Sequence, residues 1–477
     1  MRNRKLRFIN CLILLVFVAG CQKPQQVKQP NILLICVDDL RPELKSFGAD
    51  HIISPNIDKL AKKGVAFQSH YVNSPSCGPS RYTLLTGNYG TPNNNALFLR
   101  AQQITNGQTV NQSMPEWFKT HGYTTVSVGK VSHHPGGRGG LNWNDSTNIE
   151  MPNAWDRHLM PVEKWQHPRG AMHGLAYGEI RVNASEMDVF QSAEGHDDIY
   201  PDGAITNVAL NELKTLTADN KKPFFLAVGF LKPHLPFGAP KAYLDKYEDI
   251  EFPEVNHNQK PIGRTTWHKS GEFNQYNKWD KDPNTDSEFA EEIRRHYAAC
   301  VSYADAQVGK VLAELKRTGA DKNTIVVLWG DHGWHLGEHA IWGKHSLFEE
   351  SLHAPLIIHD PRVKQNGFKT NAMVETLDIF PTLCDLTAIE NPKFTKGVSL
   401  KDILNKQDTI GHSVLAYKPG AKTLRTKTHR LILHNDGFVE LYDHTTIEKE
   451  TKNIADKYPE LVNKLIDELR AKFHNEF

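Results

Sequence analysis

Cysteine is scarce in this chain, with six among 477 residues. Cys11 and Cys21 fall in the first 21 residues, and Cys36, Cys300 and Cys384 sit inside apolar patterns that read as core. The compartment permits a disulfide, but that spacing does not suggest a disulfide framework. Net charge is nearly absent as well: 56 Lys and Arg stand against 55 Asp and Glu. No global field therefore recruits nucleic acid, and an anionic substrate must be attracted by a local cluster of Lys, Arg and His. No internal repeat or low-complexity block occurs, and no apolar run is long enough for a comfortable membrane span. What is present is an ordinary globular composition, long enough for one large domain with a smaller partner. Histidine, at 24 residues, is abundant and directs attention to metal or proton-transfer chemistry.

The first 21 residues stand apart. "MRNRKLRFIN" is basic, "CLILLVFVAG" is apolar, and Cys21 follows. A basic start, a short apolar run and small residues before the cut make a secretory signal. "VAGC" also resembles a bacterial lipobox, which would make Cys21 the lipidated first residue of the mature protein; a plain signal peptide with a chance cysteine is the simpler alternative. Residues 22–30, "QKPQQVKQP", read as a polar tether.

Beyond it, strand-like runs alternate with helical patterns, which predicts an α/β sheet packed on both faces. "NILLICV" (31–37), "YTTVSVG" (123–129), "PFFLAVGF" (223–230) and "TIVVLWG" (324–330) read as strands. "SPNIDKLAKKG" (54–64) reads as a helix with Ser54 as cap, Pro55 at the first position and Gly64 as stop. A long helix is expected from about Glu288 to Thr318, with Ile293, Tyr297, Val301, Ala304, Val308, Val311 and Leu315 on its apolar face. Residues 231–286, rich in Pro, Trp, Asn and charge, read as long loops over one rim. The main domain is placed at 31–400. Residues 401–477 are expected to form a small antiparallel-sheet subdomain closed by the amphipathic helix "YPELVNKLIDELRAKF".

Two strands end in polar pairs at the same relative place: Asp38-Asp39 and Asp331-His332. In open α/β sheets, ligands collect beyond the carboxyl ends of strands. Adjacent carboxylates there repel unless a cation lies between them. A third carboxylate and an imidazole from a second strand make a mostly oxygen-ligand site, suited to Ca²⁺ or Mg²⁺ rather than tetrahedral zinc. A helix cap or a salt bridge is the plainer account of either pair alone.

The remaining cysteine, Cys77, lies in "SPSCGPSRYTLLTG" (74–87). Pro79 suits a first helical position and Ser74 or Ser76 the turn before it. Cys77 then sits at a helix N-terminus, where free N–H groups and the dipole favour an anion. Arg81, one turn on, adds a permanent charge. The options are a small buried hydrophobe, an activated thiolate, or a group that handles an oxyanion. No Cys-His protease pattern surrounds it, and a soft, oxidisable catalytic thiol beside hard-cation ligands is poor chemistry.

C-G-P-S-R-x-x-L-L-T-G resembles the signature of the type I sulfatases, whose cysteine is oxidised to formylglycine. The match covers Cys77, Pro79, Ser80, Arg81, Leu85, Thr86 and Gly87. "SVGKVSHHPGG" (127–137), "YPDGA" (200–204), "FLKPHLPF" (230–237) and "WGDHGWHLGEHAIWGKHSLFEESLHAPL" (329–356) extend it over most of residues 30–450, and look most like the iduronate-2-sulfatase branch. The resemblance implies an alkaline-phosphatase-like fold with a large central mixed sheet. It implies metal ligation by Asp38, Asp39, Asp331, His332 and the modified residue 77, with Ca²⁺ first and Mg²⁺ second. Arg81, Lys130 and Lys344 would contact the sulfate, His234 would protonate the leaving sugar oxygen, and His133 would act as base. His133 and His134 are adjacent, with Ser132 where the family often has an aromatic, so His134 also fits the base. His335, His339, His345 and His353 carry no role from the family and read as supporting or rim residues.

The mechanism so implied has a hydroxyl of hydrated formylglycine attack sulfur in line; the sulfated diol then eliminates sulfate and the aldehyde returns. The partners implied are a sulfated polysaccharide and a formylglycine-generating or anaerobic sulfatase-maturating enzyme, with the membrane met only through the lipid anchor. That describes an exported bacterial lipoprotein of the periplasm or cell envelope. A 2-O-sulfate on a uronate or related sugar is the expected group, in ulvan first, then dermatan or heparan fragments and carrageenan. A phosphodiesterase or phosphonate hydrolase of the same superfamily, or a non-catalytic glycan-binding lipoprotein, are the competing classes.

Overall fold

The structure is a computed structural model. It describes residues 29–134, 147–161, 164–165, 168–181, 183–218, 221–363, 367–406 and 408–473. The leader, Cys21 and most of the tether lie outside the described residues, as do residues 135–137 of the 127–137 segment.

The four runs of β-branched and aromatic residues read as strands do form strands: Asn31–Val37, Thr124–Gly129, Phe224–Phe230 and Thr324–Gly330. They occupy the middle of an eight-stranded sheet. From one edge its order is Phe368–Glu375, Val65–Tyr71, Leu356–His359, Thr324–Gly330, Asn31–Val37, Phe224–Phe230, Thr124–Gly129 and Arg157–Leu159. Leu356–His359 runs antiparallel to both neighbours, and all other pairings are parallel. The sheet is therefore mixed, as expected. Asn31–Val37 is buried at every residue, in keeping with its unbroken apolar run.

Helices cover both faces. The longest, Ser287–Arg317, begins where the Asp286 side chain accepts from Phe289 N at 2.9 Å. Its seven predicted apolar-face residues are all buried. The helix Pro55–Ala61 opens after Ser54, but the Ser54 hydroxyl bonds Asp58 at 3.2 Å and caps no helix N–H. That helix stops short of Gly64, whose N–H closes back on Leu60 O. Among the described residues, 231–286 hold only short elements.

A separate four-stranded antiparallel sheet follows: Val414–Lys418, Ala421–Arg425, His429–His434 and Val439–Asp443. The second of these has no strong apolar alternation in its sequence, AKTLR. The closing helix Pro459–Phe473 buries Leu465, Leu469 and Phe473 against this sheet. The sheet's other apolar residues pack with Tyr71, Val72, Ile341 and Phe348 of the main domain. Ile403 and Leu404 belong to the apolar cluster of the large sheet, so the change of packing partner falls between residues 404 and 414.

Strand register sets up the site. Val37 pairs with Gly330 on one side and Phe230 on the other, and Gly129 pairs with Gly229. Asp38, Asp331, Leu231 and Lys130 therefore leave the sheet side by side, at the carboxyl ends of four adjacent parallel strands. Gly229 is required there, since a Cβ on it would lie 2.0 Å from Lys130 O.

Candidate active site

The helix Cys77–Thr86 points its N-terminus at this strand edge. Cys77 is its first residue and Pro79 its third, two positions later than expected, because the chain turns helical at the cysteine itself. Ser76 precedes it but makes no side-chain cap. Asn94 does that work from another loop, accepting from Gly78 N at 3.0 Å and from the Ser76 hydroxyl at 2.8 Å. No motif singled out Asn94. Gly78 makes the approach possible, since a Cβ would sit 2.3 Å from Asn94 Cα.

Around Cys77 the expected ligands converge. Asp38, Cys77, Asp331 and His332 place one ligand atom each within 4.8 Å of one another, and so do Asp38, Asp39, Cys77 and His234. Asp39 adopts a left-handed backbone (φ 57°), tolerated by Asp, which lets its N–H donate to Asp331 Oδ1 at 2.9 Å while its carbonyl accepts from Tyr297 OH. His332 Nδ1 donates to Gly333 O at 3.0 Å. In the neutral ring this leaves Nε2 as an acceptor, facing Asp39 Oδ1 at 3.3 Å and Cys77 Sγ at 3.2 Å. Acceptors turned on one another at the end of a sheet fit a cation between them. Three carboxylates, one imidazole and the side chain at 77 suit a hard divalent ion.

Basic groups encircle the carboxylates. Arg81 is fully buried: Nη2 reaches Asp38 Oδ1 and Asp331 Oδ2, both at 2.9 Å, and Nη1 donates to the carbonyls of Lys130 and Val131. Lys130 Nζ donates to Asp38 Oδ2. Lys344 Nζ donates to Asp39 at 2.9 Å and stands 3.4 Å from Cys77 Sγ. Burial pushes the Asp38 carboxyl up, but Lys130 and then Arg81 hold it well below the usual carboxylate range. For Asp39 burial prevails over Lys344 and His332, and its carboxyl is raised. Burial, reinforced by Asp38, pushes the Cys77 thiol well up. Arg81's charge goes to the carboxylates rather than to sulfur, and the cation beside Cys77 Sγ is Lys344.

A cavity of about 730 Å³ opens onto Cys77. Lys344, His133 and His234 line it; Lys130 and Arg81, fully buried and paired with the carboxylates, are not among its lining residues. The adjacent histidines separate. His133 faces the cavity with Nδ1 free of hydrogen bonds, while His134 turns to Glu150 through its backbone N–H at 2.9 Å and Nδ1 at 3.3 Å. His234 Nδ1 donates to Leu235 O at 2.7 Å, which presents Nε2 to the cavity. Burial, then Lys130 and Lys344, hold its imidazole well below its ordinary pKa. The "YPDGA" aspartate, Asp202, fixes this turn by accepting from Leu231 N and Lys232 N at 2.8 and 2.9 Å.

Of the other histidines, His345 reaches the cavity rim. His335 bonds Ser346 and His353 bonds Gln68 O, and both are structural. His339 is buried, stacked on Phe348. Glu272, Gln275 and Tyr276 also line the cavity; they come from the long loop region, where no periodicity or motif marked them.

Comparison with known proteins accords with this geometry. The Sulfatase family profile matches residues 30–389, and that of the N-sulphoglucosamine sulphohydrolase C-terminal region matches 337–475. A sulfatase of Formosa agariphila is 30% identical, over 92% of this chain and 85% of its own. Human iduronate 2-sulfatase is 31% identical, over 76% of this chain and 70% of its own, in line with the branch resemblance. A solved structure of a protein in complex with its substrate D-glucosamine-2-N,6-O-disulfate shares the fold, with a TM-score of 0.71 at 22% identity, covering 94% of this chain and 99% of that one. With the profile spanning most of the chain and the carboxylate cluster, cysteine and basic groups gathered at one strand edge, this chain belongs to the sulfatase family and is a sulfuric ester hydrolase.

Proposed function

We propose that the chain removes sulfate esters from a sulfated polysaccharide or its oligosaccharides, with residue 77 as nucleophile. The observation that carries this is the convergence of Cys77, Lys344, His133 and His234 on one cavity above a carboxylate cluster. Formylglycine made from Cys77 would supply a hydrated-aldehyde oxygen as nucleophile, and a divalent cation, Ca²⁺ before Mg²⁺, held by Asp38, Asp39, Asp331, His332 and residue 77 would supply Lewis-acid stabilisation of the sulfate oxygens.

The chain's own residues divide the remaining work. Lys344, next to both Asp39 and residue 77, donates to a sulfate oxygen entering from the cavity. Lys130 and Arg81 hold Asp38 and Asp331 in place, so their effect on sulfate passes through those carboxylates. His234 presents Nε2 to the leaving oxygen and serves as its acid once Nε2 has taken up a proton, a step that an anionic substrate favours by offsetting Lys130 and Lys344, which with burial disfavour the imidazolium in the substrate-free site. His133, with its unpartnered Nδ1, takes the proton in the step that frees sulfate.

The substrate reading follows the iduronate-2-sulfatase likeness: a 2-O-sulfate on a uronate or a related sugar, with ulvan the leading polymer. Residues 1–21 are read as a lipoprotein signal ending at Cys21, so the enzyme works in the periplasm or at the cell envelope; membrane fractions losing the protein on Cys21→Ser is the check. The activity is tested with matured, metal-loaded protein on a panel of sulfated oligosaccharides beside phosphodiesters and phosphonate monoesters. Sulfate release from one saccharide above all others is expected. Faster turnover of the phosphorus esters would make it a phosphodiesterase or phosphonate hydrolase. Saccharide binding without turnover and with Cys77 unmodified would make it a glycan-binding lipoprotein.

A further inference from the structure

A carboxylate lines a cavity proposed to receive an anion. Glu272 stands with Oε1 at 3.5 Å from Lys344 Nζ and 3.7 Å from His234 Nε2, and Oε2 at 4.0 Å from His345 Nδ1. A counter-ion for Lys344 is the plain explanation, and it accounts for Oε1 alone. Lys344 also has Asp39 at 2.9 Å, and the Glu272 contact is longer than a good charged hydrogen bond. Among the described residues, Glu272 Oε2 is buried and has no hydrogen-bond partner. Buried carboxylate oxygens are nearly always satisfied, so one left open beside a cavity has acceptor capacity for a ligand donor.

The residue is also held where it is. It immediately precedes the tight turn Phe273–Gln275, in which Gln275 N closes on Glu272 O. Phe273 is buried against Trp342, and Ser270 Oγ accepts from Trp342 N at 2.9 Å. A carboxylate on a turn anchored at both ends is preorganised rather than a mobile surface acid.

We propose that Glu272 is a specificity-determining residue: it accepts a hydrogen bond from a free hydroxyl on the sugar carbon next to the sulfated one, and its charge rejects a second anionic group at that place. This rests on the sulfatase reading and on His234 facing the leaving oxygen. A group 3.7 Å from His234 Nε2 meets the neighbouring ring position. The preferred sugar then carries a hydroxyl on the carbon next to its sulfate ester. A second sulfate there faces Glu272 as a like charge, whereas a hydroxyl satisfies it; the carboxylate of a 2-O-sulfated uronate, attached at C5, is not on that carbon.

The test separates this proposal from the reaction. Calorimetry on Cys77→Ser protein compares a neutral monosulfated saccharide with a free adjacent hydroxyl against its adjacent disulfate and its adjacent deoxy analogue. The hydroxyl form should bind at least tenfold more tightly than either, and adding Glu272→Gln should shrink the gap to the disulfate to about threefold or less. In parallel, Glu272→Gln with Cys77 intact is assayed on an aryl sulfate, which has no adjacent hydroxyl and should be turned over within about threefold of wild type. Equal binding of the three saccharides by the Cys77→Ser protein, or an unchanged gap in the double variant, overturns the proposal. So does loss of aryl sulfate turnover in Glu272→Gln, because Glu272 would then serve Lys344 or His234. Absence of sulfate release by the wild type from every saccharide and from the aryl sulfate instead refutes the proposed reaction and leaves the binding contrast to decide Glu272 alone.

Discussion

Lys344 Nζ donates to Asp39 Oδ1 at 2.9 Å, across 305 positions of sequence, and the same ammonium lies 3.4 Å from Cys77 Sγ. One charge thus touches a candidate metal ligand and the candidate nucleophile together. Burial works against the Lys344 ammonium, yet Asp39 beside it more than offsets this and raises its pKa above the ordinary lysine value.

Cys77 is expected to be formylglycine in active protein. Peptide mass spectrometry on an active preparation should find the thiol lost at position 77, and Cys77→Ser should abolish turnover while circular dichroism is unchanged. Active protein that retains the thiol refutes the mechanism.

Arg81→Ala should destabilise the fold by about 3–5 kcal/mol, because it strands the buried Asp38 and Asp331 carboxylates. Urea unfolding measures the loss. Divalent cation should restore part of it, since a bound ion supplies the missing positive charge; a loss that Ca²⁺ and Mg²⁺ leave untouched would argue against a cation among these carboxylates.

His234→Ala should slow sugar sulfates by about 10²–10⁴-fold while an aryl sulfate, whose phenolate leaves unaided, changes little. The ratio of the two rates in one variant is the measurement. Equal slowing of both would move the acid role to His133.

Gly78→Ala places a methyl group 2.3 Å from Asn94 Cα, a backbone atom that cannot step aside alone. It should cost about 1–3 kcal/mol of stability and lower kcat by about tenfold or more, because the start of the Cys77 helix must shift. A crystal structure of the variant should show residue 77 displaced; unaltered activity would mean that the Asn94 contact does not position it.

Stability should also fall in mild alkali. Burial pushes the His412 imidazole down, but Asp378, hydrogen-bonded at 2.8 Å, raises it from an ordinary 6.5 to about 9. Glu375 adds to this, and Lys472 Nζ stands 3.5 Å from Nδ1. A folded-state pKa above the unfolded one contributes stability that is complete below pH 6.5 and is lost as pH rises through 9. The amount is about 2–3 kcal/mol. Chemical denaturation at pH 6 and pH 10 should show the drop, and His412→Gln should flatten it.

The sequence by itself determined the four central strands, the long helix and the two polar pairs at strand ends. Each is written in contiguous residues: apolar runs long enough to be buried, a 3.6-residue apolar stripe, carboxylates where a run stops. The Cys77 signature is equally local, and it carried the family. Tertiary structure decided the rest, because it depends on register and packing between distant segments. Spacing from Lys130 favours His133 as the base yet leaves His134 open; the direction of the loop after Gly129, with Glu150 on one side, turns His133 to the cavity and His134 to that carboxylate. Arg81 and Lys130 read as sulfate contacts from their motifs; that Arg81 also reaches Asp38 and Asp331, and Lys130 reaches Asp38, depends on strand ends far apart in the chain meeting at one edge. Asn94 and Glu272 lie in loops without periodicity, so nothing in their own neighbourhood marks them. They acquire a role only where the fold sets one against the helix of Cys77 and the other beside His234 and Lys344.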